Sequence, residues 1–67
     1  MKYYNFETMF ISLAKKLGDY LHNNNIYFEL SKDKQYYHFE ILTNEAGANK
    51  INDFIDNNTI WSVGIND

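Results

Sequence analysis

From Asn5 to about His22, apolar residues recur at three- and four-residue spacing through Phe6, Met9, Phe10, Leu13, Leu17, Tyr20 and Leu21. That spacing lays them along one stripe of a helix. Glu7, Ser12, Lys15, Lys16 and Asp19 fall between them and face water. Asn5 reads as the N-cap, with Glu7 in the first turn and Tyr4 and Met9 at the spacing of a hydrophobic staple. Gly18 is costly in a helix interior and reads as the mark of a close helix–sheet approach. Asn23-Asn24-Asn25 tolerates left-handed backbone and closes the helix.

Between Ile26 and Leu42 the period changes from helical to alternating, which predicts a hairpin. With Asp33-Lys34 at the tip, Ile26 faces Ile41, Phe28 faces Phe39 and Leu30 faces Tyr37, so six apolar or aromatic residues share one face. The same register sets Tyr27 against Glu40, Glu29 against His38 and Ser31 against Tyr36 on the other face. A one-residue slip would mix the two faces. Thr43 or Asn44 then caps a second helix from Glu45 to about Asn57, with Ala48, Ile51, Phe54 and Ile55 as its buried stripe. Asn57-Asn58 ends it, and Thr59 to Ile65 reads as a third strand in which Trp61, Val63 and Ile65 alternate with Ile60, Ser62 and Gly64.

The predicted order is α-β-β-α-β in one domain spanning residues 1–67. The fold class is α+β, two layers, with both helices on one face of a three-stranded, mainly antiparallel sheet. The third strand fits beside the first strand of the hairpin or beside the second; the first is favoured because it keeps every neighbour antiparallel. The opposite sheet face is left open, carrying Tyr27, Glu29, Tyr36, His38, Glu40, Leu42 and Ile60.

Composition narrows the function classes. A chain of 67 residues without cysteine must build its core from apolar side chains alone, which leaves little for a pocket. Nine acids stand against six lysines, giving a net charge of −3, and there is no arginine. The residue that best clamps phosphates and reads guanine is therefore missing, and direct nucleic-acid binding is not expected. The start of the chain leads into an amphipathic pattern with Lys15 and Lys16 rather than a secretory leader, and no apolar run approaches a membrane span. A cytoplasmic protein with no membrane contact is expected.

Few constellations suggest chemistry. Glu29 opposite His38 has the makings of an acid–base pair, but no nucleophile motif or second catalytic group lies in register with it. An open sheet also excludes no water. The pair is read as a surface contact, and the protein as no enzyme. The two histidines, His22 and His38, have no ligand spacing, so neither a metal nor any other cofactor is expected. Tyr27 and Tyr36 with His38 suit a protein contact, because tyrosine buries a large area at low rotamer cost and keeps a hydroxyl. On the second helix, Glu45, Asn49, Asn52, Asp53 and Asp56 form an outer face able to complement a basic groove.

In size, acidity, lack of cysteine and compact α/β order, the chain resembles the small single-domain inhibitors encoded by phages and other mobile elements, the anti-CRISPR proteins among them. The resemblance implies a non-enzymatic protein that binds a host defence or nucleic-acid-processing protein. It would block that partner's substrate groove or its assembly. The candidate partner-binding residues are Tyr27, Glu29, Tyr36, His38, Glu40, Glu45, Asn49, Asn52, Asp53 and Asp56. Two other readings are a regulatory homo-oligomer, such as a homodimer, and a single-strand nucleic-acid binder using the sheet-face tyrosines.

Overall fold

The structure is a computed structural model that describes the backbone of residues 1–66 and the side chains of residues 1–58. The chain runs β1 (Lys2–Thr8), α1 (Ile11–Asn23), β2 (Tyr27–Asp33), β3 (Tyr36–Thr43) and α2 (Glu45–Asn66). It is an α+β fold with a three-stranded antiparallel sheet in the order β1-β3-β2.

The third strand comes from the start of the chain, not from its end. Residues 2–8 form β1 where a helix from Asn5 was expected, so Asn5 caps nothing and pairs with Glu40 across the sheet. Two periodicities compete in this stretch. Phe6, Met9 and Phe10 continue the helical spacing of α1, while Tyr4, Phe6 and Thr8 alternate as a strand requires. Alternation prevails because Phe6 gains Phe39 as a cross-strand neighbour, with ring centroids 6.4 Å apart. The strand then stops at Thr8, whose buried Oγ1 accepts the Phe10 N–H at 3.1 Å and turns the chain into α1.

At the other end, the backbone of residues 59–66 continues α2, so the strand expected over Thr59–Ile65 is absent and Ile60 does not belong to the sheet. A short apolar run such as this fits strand or helix equally by pattern. Asn58 does not cap the helix: its side-chain amide donates to the Phe54 carbonyl at 2.8 Å, one turn back, and the helix passes through. The observed order is therefore β-α-β-β-α, and the central strand is β3, the second strand of the hairpin, where the first was expected: β1 pairs with β3 and not with β2.

The C-terminal end of α1 behaves as its asparagines predict. Asn25 takes the left-handed conformation (φ 57°), its N–H donates to the His22 carbonyl, and the Ile26 N–H donates to the Leu21 carbonyl at 2.9 Å. This is the Schellman arrangement. It commits the Ile26 N–H to the helix, so β2 begins at Tyr27 and pairs it with Leu42. The hairpin register is accordingly displaced from the expected one. Its tip is Lys34-Gln35, with Lys34 left-handed (φ 58°), and Phe28 faces Ile41 while Leu30 faces Phe39. Each residue's partner moves by two positions, so every side chain keeps its predicted face.

The core cluster joins Ala14, Leu17 and Leu21 of α1, Ile51 of α2, and Phe39 and Ile41 of β3. Leu17, Leu21, Phe39 and Ile41 are essentially sealed from water, and each such burial stabilises the fold by about 1.5–3 kcal/mol. Tyr20 stacks on Phe54 at 4.4 Å and ties the two helices together. Asn44 caps α2, accepting the Gly47 N–H at 2.8 Å. Gly18 meets nothing that a Cβ would touch, so it marks no close approach; Gly47, packed against Thr43, does.

Candidate functional site

Alternation along the three strands sends one set of side chains into the core cluster and the other set outward. The outward set falls into rows across the sheet. Tyr3, Leu42 and Tyr27 form the first, Asn5, Glu40 and Glu29 the second, and Glu7, His38 and Ser31 the third, with Tyr36 and Asp33 beyond them. Tyr3, Tyr27 and Tyr36 are all exposed, at 55%, 53% and 41%. Between them lies a shallow depression of about 440 Å³ whose polar lining is Asn5, Glu7, Glu29, Ser31, His38 and Glu40.

The electrostatics of this face are dominated by carboxylates. Glu29 and Glu40 are direct cross-strand neighbours, an arrangement of like charges that costs stability. The expected Glu29–His38 pair is not formed, because the displaced register puts Ser31 opposite His38. The imidazole turns the other way, and its Nδ1 lies 2.7 Å from Glu7 Oε2. Glu29 instead accepts a hydrogen bond from the Tyr27 hydroxyl at 2.6 Å. That bond, together with repulsion between the carboxylate and an ionised phenol, raises the Tyr27 pKa above its ordinary value.

Of the sequence-predicted residues, Tyr27, Glu29, Tyr36, His38 and Glu40 therefore share one surface. Glu45, Asn49, Asn52, Asp53 and Asp56 are exposed on α2, and none of them lines that depression. Glu45, Asn49 and Asn52 border a groove of about 220 Å³ between α2 and β1, floored by Tyr4, Phe6 and Ile41, whereas Asp53 and Asp56 lie outside it. Reading the chain from Asn5 onward as helix, and leaving Tyr3 unassigned, concealed three members of the sheet face, Tyr3, Asn5 and Glu7. The signal that finds them is the inward alternation of Tyr4, Phe6 and Thr8.

Acid, imidazole and hydroxyl stand side by side in the row Glu7, His38, Ser31, yet no hydrogen bond joins Ser31 to the ring. The face is open to water, which weakens proton transfer there. Among the described residues, no group of three or more His, Asp or Glu side chains is placed to hold a metal ion. No helix among them is long and apolar enough to cross a membrane. Comparison with protein-family models, with curated proteins and with solved structures finds no match to the chain.

Proposed function

We propose that the chain is a non-catalytic protein-binding module that offers the outward face of its sheet to a basic surface on a partner. In this reading the fold is two-layered: both helices cover one face of the sheet and leave the other as the working surface. The observation that carries it is the row in which Glu40 lies against Glu29, with Glu7 in the next row and Tyr3, Tyr27 and Tyr36 around them. Like charges held side by side are a standing cost to the fold that a cationic partner relieves, and the tyrosines supply apolar contact area around the charges. The same carboxylates repel a phosphate backbone, which favours a protein partner over a nucleic acid.

The partner that fits is one whose own groove is basic, such as a nucleic-acid-processing or defence protein of a host cell. Carboxylates seated there occupy phosphate sites, and the small acidic protein inhibits in the manner of the phage-encoded inhibitors that it resembles, acting in the cytoplasm. The test is capture from a bacterial lysate on the wild-type chain and on Glu29→Lys/Glu40→Lys, with duplex DNA or RNA as competitor. A partner retained by the wild type, lost with the double variant and displaced by nucleic acid supports the reading. A partner retained equally by both, or indifferent to nucleic acid, refutes it.

A further inference from the structure

The end of the molecule where β1 runs into α1 is built differently from the acidic face. Antiparallel pairing brings Thr8 opposite Tyr37 and Asp33 opposite Tyr36, so the β1–α1 junction and the β2–β3 turn lie at the same end of the sheet. At the junction three consecutive apolar residues, Met9, Phe10 and Ile11, are exposed at 46%, 48% and 57%. Beside them are Lys32 and Lys34 of the hairpin, and the two segments border one shallow surface with Tyr37. The Lys32 ammonium sits 5.5 Å from the Tyr37 ring centroid. Lys15 is exposed one helical turn after Ile11 and on the same side of α1, and the first turn of that helix carries no acid.

We infer that this end docks on an anionic phospholipid surface. Met9, Phe10 and Ile11 border one shallow surface together with Lys32 and Lys34, so a bilayer boundary meets both at once: the acyl edge takes the apolar side chains and anionic headgroups meet the ammonium groups. The lysines supply the second contribution that stable membrane attachment requires beyond a small apolar insertion. A net charge of −3 does not oppose this, because screening acts over about 8 Å at physiological ionic strength. Glu29 lies three residues along β2 from Lys32, roughly 10 Å at strand spacing, and points to the opposite sheet face. Asp33, the last residue of β2, is the acid interleaved with the lysines, and Glu7 belongs to the outward row with His38 and Ser31, on the sheet face opposite to Lys32 and Tyr37. The expectation of no membrane contact rested on the lack of a spanning run, which surface docking does not need.

The full chain is tested by co-sedimentation with vesicles of phosphatidylcholine alone and of phosphatidylcholine mixed with an equal part of phosphatidylserine. Binding is expected to the mixed vesicles at low salt, to fall as salt is raised, and to be absent with phosphatidylcholine alone. Lys32→Glu with Lys34→Glu should weaken it by roughly thirtyfold or more. Phe10→Ser with Ile11→Ser should weaken it by roughly tenfold. Thermal unfolding of both variants checks that they remain folded, and the lysine pair, being fully on the surface, provides the test if the apolar pair does not. Absence of binding to the mixed vesicles, equal binding to both vesicle types, or binding indifferent to the lysine changes overturns the inference. Retention on immobilised polyglutamate through Lys32 and Lys34, without vesicle binding, also overturns it and assigns this end to an acidic protein segment.

Discussion

Replacing Glu40 by glutamine removes one of two adjacent carboxylates while keeping the size and polarity of the side chain. Glu40 lies on the central strand β3, directly opposite Glu29 and flanked on the other side by Asn5. Cross-strand neighbours hold their Cβ atoms about 5 Å apart, so the two charges are taken to be roughly 6 Å apart. Both side chains are exposed, so water sets the dielectric, and the repulsion is about 0.7 kcal/mol before screening. At physiological ionic strength the Debye length reduces this to about 0.3 kcal/mol. For a domain of this size, Glu40→Gln should then raise the melting temperature by roughly 3–5 °C at low salt. The gain should shrink as salt is added. Differential scanning calorimetry across a salt series measures this directly. A Glu40→Gln protein that melts lower than the wild type, or whose gain is independent of salt, would show that the two carboxylates do not strain the fold.

Gly18 and Gly47 should respond in opposite ways to alanine. Gly18→Ala meets open space and should stabilise the protein by about 0.5–1 kcal/mol, whereas Gly47→Ala drives a methyl group into Thr43 Oγ1 and should destabilise it by about 1–3 kcal/mol. Urea unfolding of the two variants measures both, and the same sign for both would contradict the packing described around α2. Tyr27 should ionise above the ordinary tyrosine range in an ultraviolet titration, and Glu29→Gln should lower its midpoint. Because the folded-state pKa is raised, the stabilisation from this contact is present below the unfolded tyrosine value and is lost as pH rises through the folded one. A Tyr27 midpoint unchanged in Glu29→Gln would mean that the hydrogen bond is not made in solution.

The middle of the chain was the most legible from sequence. Its alternation assigned Phe28, Leu30, Phe39 and Ile41 to one face and Glu29, His38 and Glu40 to the other, and both assignments survive a two-residue change of partner because the strand period is two. The partners themselves were not legible, since the register depends on the Schellman cap at Asn25 that withholds the Ile26 N–H from the ladder. The two ends of the chain were misread for a shared reason. Phe6, Met9 and Phe10 satisfy helical spacing although Met9 and Phe10 pack on nothing that buries them, and the apolar residues after Asn58 alternate although their backbone is helical. Pattern registers hydrophobicity, while the choice between elements is made by neighbours distant in sequence, here Phe39 for Phe6. The acidic character of the sheet face was anticipated through Glu29 and Glu40, and β1 adds Glu7 to it.

The direct test of the acidic face is a nitrogen-15 NMR titration of the chain with a peptide rich in lysine and arginine. The account predicts that amide shifts concentrate on β1, β2 and β3 around Glu7, Glu29, His38 and Glu40, and that Glu29→Lys/Glu40→Lys abolishes them. Shifts confined to α2 around Asp53 and Asp56, with the sheet unmoved, would contradict it.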